Sequence, residues 1–362
     1  MSKIGILTFH RQDNYGALLQ SYALMIRLKQ MGHEAEFIDY RPSWGEHLRR
    51  SPETIQRYGT FEKALLAFAE SRFPVSETFG IEDKDFPEHF RKYDIIVEGS
   101  DQIWNTELTA GDPVLFLEGI PNDVRAISYA ASFGTTAIHP SYKKRFYKLF
   151  ERLAALSVRE WSGKNIIDCV IDKKVEVVLD PTMLVSPGIW DEMEPTIPIP
   201  SGHYILLYSL SGERDLFVLA KQLKKRLGYP VVLFGHPRIP HINESNCTDW
   251  GVDQYVISGP ETFVSLFRSS SCVVTDSYHG TLFSILFQKQ FFTTPVRNNM
   301  IIRRMSSRIH HILNMFSLSD RMILGDNGPS LAKADEIPYS QVARLLERER
   351  ALSNKYLENA LR

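Results

Sequence analysis

Apolar runs rich in β-branched residues recur along the chain, each ending in small polar residues and followed by apolar positions at helical spacing. Ile4–Phe9 is the first; after His10-Arg11-Gln12-Asp13-Asn14 the apolar positions from Tyr15 to Leu28 follow a helical period, Gly32 stops that helix, and Ala35–Tyr40 is the next strand. That is a βαβ unit of ordinary length. Residues 41–92 are less regular, with a helical segment over 61–70, and the alternation then resumes at Tyr93–Val97, Ala126–Gly134, Leu156–Glu160 and Val175–Thr182. A second series holds strands at His203–Leu210, Pro230–Phe234, Tyr255–Ile257 and Val273–Thr275, with helices over 213–227 and 260–269 and one starting near Tyr278, and a basic run with Arg297, Arg303, Arg304, Arg308, His310 and His311 follows Phe291–Pro295. Residues 339–362 read as a charged amphipathic helix. Prolines 181, 187, 195, 198 and 200 interrupt helix and ladder alike, which predicts a linker over 185–200 between domains at 1–184 and 201–335, with a terminal helix at 336–362. Strand–helix alternation on both sides of that stretch predicts an α/β protein of two Rossmann-like, doubly wound domains facing across a cleft.

Composition narrows the class without naming a ligand. A hydrophobic content of 43% and a charged content of 23% are those of an ordinary globular protein, and a net charge of -1 gives no global pull toward nucleic acid or anionic membrane. Cys169, Cys247 and Cys272 lack any CxxC spacing, which fits a reducing compartment and argues against a zinc site. No window holds the ~18 apolar residues of a membrane span. A cytoplasmic protein is expected.

Candidate chemistry gathers where strands end, because parallel sheets bind ligands at the carboxyl ends of their strands. The stretch Val273-Val274-Thr275-Asp276-Ser277-Tyr278-His279-Gly280 runs from a buried strand through a sharp turn into a helix. A helix N-terminus offers unpaired amides and a partial positive charge, so this turn suits an anion, with His279 beside it and Gly280 permitting close approach. The plainer reading is that Asp276 or Ser277 only caps the helix. His10, Asn14 and Gly16 stand on the other ligand-facing edge, where Asn14 serves equally as a cap. In Gly99-Ser100-Asp101-Gln102-Ile103-Trp104-Asn105, the polar residues suit sugar hydroxyls and Trp104 is either a stacking platform or a buried anchor. No P-loop, GxGxxG, HExxH or GxSxG motif occurs in the required context.

The ordered set Thr8-Phe9-His10 with Asn14-Tyr15-Gly16-Ala17-Leu18-Leu19-Gln20, Gly99–Asn105, Ser128–Gly134, Ser157-Val158-Arg159-Glu160, Leu179-Asp180-Pro181-Thr182 and Thr275–Gly280 resembles the polysaccharide pyruvyl transferase family from the first strand to about residue 320. The resemblance implies a GT-B-like fold. It also implies transfer of a pyruvyl group from phosphoenolpyruvate to a hydroxyl pair of a cell-envelope or exopolysaccharide precursor, forming a cyclic ketal. No metal or redox cofactor is then needed, and the partners are phosphoenolpyruvate and a lipid-linked or polysaccharide acceptor that would bring the protein to the inner face of the membrane. His279 falls on the family's histidine before glycine and Arg159 on an arginine expected to grip the donor's anionic groups. Where several members carry Arg-Leu-His-Gly, this chain has Ser277-Tyr278-His279-Gly280. Either Arg303, Arg304 or Arg308 replaces the missing cation or the donor differs.

These readings place the donor on the second domain, with Arg159, Ser277, Tyr278, Gly280 and Arg308 as its ligands and His279, exposed in an open cleft, as general acid/base. They place the acceptor on the first domain at His10, Asn14, Gly16, Gln102 and Trp104, with Asp101 as a second catalytic group. For Arg159 the competing reading is an ion pair with Glu160 or Asp180. Two other functions stay open: a glycosyltransferase using a nucleotide sugar, and a noncatalytic member of a polysaccharide assembly complex.

Overall fold

The computed structural model describes residues 1–42, 52–236, 239, 241–294, 306–323 and 336–362. The chain forms two compact units: Met1–Gln56, Leu66–Val185 and Glu347–Arg362 make unit 1, and Arg57–Leu65 with Ser186–Leu346 make unit 2.

Unit 1 begins with β1 (Lys3–Leu7), α1 (Tyr15–Gln30) and β2 (Glu34–Phe37), followed by α2 (Pro52–Arg72), of which residues 57–65 belong to unit 2. Next come α3 (Glu88–Arg91), β3 (Ile95–Glu98), α4 (Thr106–Thr109), β4 (Arg125–Ser128), α5 (Lys143–Arg152), β5 (Leu156–Val158), α6 (Trp161–Asp168) and β6 (Val175–Val177). The sheet runs β2-β1-β3-β4 with every pair parallel, and β5 pairs with β6. A bridge between Ala131 and Val158 joins β5 to the segment that follows β4. Ile4, Ile6, Ile96, Val97 and Ile127 are fully buried, as expected of parallel strands covered on both faces. Strand order reverses between β1 and β3.

Unit 2 contains α7 (Pro187–Asp191), β7 (Ile205–Tyr208), α8 (Arg214–Leu227), β8 (Val231–Phe234), β9 (Gln254–Val256), α9 (Pro260–Ser269), β10 (Cys272–Thr275), α10 (Tyr278–Leu286), β11 (Gln290–Thr293) and α11 (Ser306–Met315). Its sheet runs β11-β10-β7-β8-β9, all parallel, which is the Rossmann order and reverses between β7 and β10. Both units are therefore Rossmann-like, and the chain has the α/β fold expected from its alternation.

Residues 185–200 are more ordered than their prolines suggested. Pro187 occupies the first turn of α7, where the missing N–H is harmless, and the fully buried Trp190 packs edge-on against Phe283. The helix α12 (Tyr339–Ala360) begins in unit 2 and ends in unit 1. Within unit 1, Leu179 N donates to Ser353 Oγ at 2.9 Å, Tyr356 Oη to the Ser128 carbonyl at 2.8 Å and Arg350 Nε to the Met183 carbonyl at 2.8 Å. No helix among the described residues is long and apolar enough to cross a membrane.

Candidate active site

The strand reversal of unit 2 is built from Ser209–Ser211 and Thr275–Gly280. Ser277 takes extended backbone angles (φ −92°, ψ 136°) and caps α10, its Oγ accepting from Gly280 N at 3.2 Å. Thr275 Oγ1 in turn accepts from Ser277 N at 3.1 Å. A Cβ added at Gly280 would lie 2.5 Å from Thr275 Oγ1, so α10 can start this close to the strand end only because that position has no side chain. Asp276 points the other way, toward the end of β7. Its carboxylate accepts from Leu210 N at 2.7 Å, Ser209 Oγ at 2.9 Å, Ser211 N at 3.0 Å and the Ser211 hydroxyl. Burial pushes this carboxyl above its ordinary range, although the four donors pull it down. Asp276 thus clamps the two loops that border the crevice where Rossmann-like sheets bind ligands.

His279 lies on the first turn of α10 and is 7% exposed, so it is an enclosed residue rather than one open in a cleft. Its ring meets Tyr278 edge-on, and the Arg308 guanidinium of α11 lies 5.3 Å from the centre of the Tyr278 ring. His311, on the next turn of α11, is pushed down to about 4 by burial. At the end of β11, Thr294 N donates to the Thr275 carbonyl, and Thr294 Oγ1 has no hydrogen-bond partner among the described residues. Ser277, Tyr278, His279, Gly280 and Arg308 are therefore brought together in unit 2. Arg297, Arg303 and Arg304 lie outside the described residues.

The strand reversal of unit 1 holds the remaining candidates, and most of them prove to be internal braces. Asn14 Oδ1 accepts from Gly16 N at 2.9 Å and Ala17 N at 3.3 Å, so Asn14 and Gly16 form the start of α1. His10 is stacked on Phe37, with Nδ1 3.1 Å from the Thr8 carbonyl and Nε2 3.3 Å from Asp39 Oδ1. Both ring nitrogens are engaged inside the unit. The ring of Trp104 is 2% exposed, packs against Phe133 and Phe150, and donates from Nε1 to Glu98 Oε1 at 3.0 Å. It anchors the loop and offers no stacking platform.

Arg159 makes the ion pair with Asp180 that its competing reading expected. It is buried in unit 1, with Nη1 donating to Asp180 Oδ2 and Nη2 to Asp101 Oδ1, both at 2.8 Å, and with Glu160 Oε2 3.7 Å from Nε. Three carboxylates around one guanidinium leave a locally acidic site, which disfavours an anionic donor. Asp101 is consequently both a strand-end carboxylate and a partner of Arg159, held with φ 75° in the left-handed region that Asp tolerates better than most residues. Gln102 accepts from Asn105 Nδ2 at 3.0 Å and is 8% exposed.

Two groups that the sequence reading missed close apolar strands with an acidic residue. Glu98 ends Ile95-Ile96-Val97 and is fully buried, and burial pushes its carboxyl up to about 8 despite the Trp104 hydrogen bond. Asp39 follows the apolar end of β2. Its side chain is inaccessible and accepts from Arg11 Nε at 2.8 Å and Arg11 Nη2 at 2.9 Å, and from the Thr78 hydroxyl, with His10 and Arg41 also on Oδ1. Burial alone would raise Asp39, but the bonds from His10, Thr78 and Arg11 outweigh it and hold the carboxyl well below the usual range. A lone acid ending an apolar run was the available signal for both.

The chain is similar in structure to three enzymes across nearly its whole length. A UDP-N-acetylglucosamine 2-epimerase matches with 12% identity over 100% of this chain and 95% of its own, with a TM-score of 0.56. The putative enzyme of that name from Listeria monocytogenes matches with 10% identity over 98% and 90%, TM-score 0.54. The UDP-GlcNAc 2-epimerase of Neisseria meningitidis, solved with UDP-GlcNAc, matches with 13% identity over 100% and 99%, TM-score 0.53. At these identities the likeness establishes the GT-B-like fold alone. No curated protein matches the sequence. The family model for polysaccharide pyruvyl transferase matches residues 14–297, a span that takes in Asn14 and Gly16 in unit 1 and Ser277, Tyr278, His279 and Gly280 in unit 2, and the chain belongs to that transferase family.

Proposed function

We propose that the protein transfers a pyruvyl group from phosphoenolpyruvate to two hydroxyls of a sugar in a cell-envelope or exopolysaccharide precursor, forming a cyclic ketal. The family match over residues 14–297 carries this reading. The unit 2 site supports it: a helix N-terminus and His279 stand at the strand reversal, where an anion is favoured. With Ser277 acting as the cap and Arg159 committed to carboxylates, Arg308 is the cation we assign to the donor, next to Tyr278 on the first turn of α10.

The chemistry asks for three proton transfers, one onto carbon and one from each hydroxyl. A proton adds to the methylene carbon of phosphoenolpyruvate, making the central carbon electrophilic. One sugar hydroxyl forms a C–O bond there and gives up its proton, the C–O bond to phosphate breaks, and the second hydroxyl adds to close the ketal with loss of its own proton. Phosphate leaves toward the α10 amides and Arg308, which favour its charge. His279 is assigned the proton transfers with the hydroxyls, where a positioned acid/base contributes about 10²–10⁴-fold. The acceptor is assigned to the strand ends of unit 1, where Asp101 and Gln102 remain as polar ligands.

Purified protein incubated with phosphoenolpyruvate and a galactose- or mannose-bearing acceptor should release inorganic phosphate and give a product of ketal mass. UDP release from a UDP-sugar, without consumption of phosphoenolpyruvate, would replace this reading with glycosyl transfer. Turnover of neither donor with any acceptor would favour a noncatalytic role.

A further inference from the structure

Among the described residues, unit 1 holds more positive charge at the ends of β1 and β2 than the ion pairs there consume. Among the described residues Asp39 is the only carboxylate set against Arg11 and Arg41, and its side chain is fully buried while theirs are 28% and 52% exposed. Arg11 already satisfies it with a two-pronged pair, and His10 and the Thr78 hydroxyl complete its shell. Arg41 approaches less closely, its Nε lying 3.4 Å from the same Oδ1 that Arg11 Nε meets at 2.8 Å. The two Nε atoms are thus no farther apart than those two distances laid end to end. Two guanidinium groups held that close repel each other, and one inaccessible carboxylate leaves a net positive charge. Neither Nη of Arg41 makes a hydrogen bond among the described residues, and Arg11 Nη1 makes none either, so the unused donors lie on the half-exposed ends of both side chains.

We infer that Arg11 and Arg41, oriented by the buried Asp39, form a binding site for a phosphate or diphosphate oxyanion at the strand ends of unit 1. Planar guanidinium groups fixed by a carboxylate behind them present paired N–H donors, the geometry that grips phosphate oxygens. The carboxyl ends of parallel strands are where such a ligand belongs. If unit 1 receives the sugar acceptor, the oxyanion is the diphosphate that links that sugar to its carrier. This last assignment rests on the pyruvyl-transfer reading, whereas the anion site does not.

The test is calorimetric titration of the full chain with inorganic pyrophosphate at low ionic strength, comparing the parent with Arg41→Ala and Arg41→Lys. Arg41 is the residue to change because Asp39 keeps its Arg11 pair without it. The expected result is at least a tenfold loss of pyrophosphate affinity in Arg41→Ala, partial recovery in Arg41→Lys, and an unchanged melting temperature in both. Phosphoenolpyruvate binding, measured on the same three proteins, should not differ among them. Failure of phosphoenolpyruvate to bind the parent would count against the donor reading and leave the anion site standing. Displacement of pyrophosphate by farnesyl diphosphate would assign the site to a lipid-linked ligand, and displacement by UDP to a nucleotide-linked one. A pyrophosphate isotherm that is absent in the parent, or identical in the parent and Arg41→Ala, overturns the site.

Discussion

Replacing Glu98 by Gln should make the protein more stable in alkaline solution and should flatten its pH dependence. Glu98 ends β3 with no exposed surface; Oε1 accepts from Trp104 Nε1, while Oε2 has no hydrogen-bond partner among the described residues. Arg152, the nearest compensating charge, directs its Nη groups to the carbonyls of Leu117, Ile120 and Pro121 instead. Burial therefore pushes the carboxyl from 4.5 up to about 8. Below pH 4.5 the group is protonated whether the chain is folded or not, so it costs nothing. As pH rises the unfolded chain ionises first, and stability drains away until the folded carboxyl also titrates at about pH 8. At ~1.4 kcal/mol per pH unit, the full window is worth at most ~5 kcal/mol. Gln keeps the acceptor for Trp104 and cannot ionise. Urea denaturation at pH 5 and pH 8.5 should show Glu98→Gln near or slightly below the parent at the lower pH and several kcal/mol above it at the higher. A difference that stays constant across that range would show that Glu98 is not the buried neutral acid described above.

Three further outcomes follow from the geometry. His279→Ala should lower ketal formation by at least ~10²-fold while native circular dichroism is retained, and equal turnover would remove His279 from the chemistry. Arg159→Ala should destabilise unit 1 by about 3–5 kcal/mol, because it strands Asp101 and Asp180 as buried charges, and thermal denaturation should report it; an unchanged melting point with weakened phosphoenolpyruvate binding would restore Arg159 as a donor ligand. Gly280→Ala forces a methyl against Thr275 Oγ1 and should cost about 1–3 kcal/mol of stability, measured by denaturant unfolding, unless Thr275 turns aside and gives up its bond from Ser277 N.

The order of strands and helices was legible because parallel strands covered on both faces must be continuously apolar, and Ile205-Leu206-Leu207-Tyr208 or Cys272-Val273-Val274-Thr275 can hardly be read otherwise. Strand ends were less legible. The run from Ala126 to Gly134 looks like one strand, yet β4 stops at Ser128 and Ala130 adopts φ 50°. Small residues fit a pleat and a tight loop equally well, so only the surroundings decide. Side-chain roles were the hardest to read. The sequence shows Glu160 beside Arg159 but not that Asp101, 58 positions away, closes on the same guanidinium. His10 and Asp39, 29 positions apart, are another such pair. At Ser277 the plain capping chemistry was visible from the start and holds in the structure.

The route of the chain through α12 bears on how the protein is made. Residues 347–362 belong to unit 1, where Ser353 and Tyr356 bond to Leu179 and Ser128, yet they are synthesised after every residue of unit 2. During translation, therefore, the sequence of unit 2 is complete first, although unit 1 was begun before it. Until α12 docks, the nascent unit 1 must hold its sheet with Leu179 N and the Ser128 carbonyl unmatched by these partners. Such a waiting intermediate leaves uncovered the apolar surface that Leu357, Ala360 and Leu361 bury, until residues 347–362 have emerged, and ribosome-bound chains stopped before residue 347 are where chaperone engagement should be greatest.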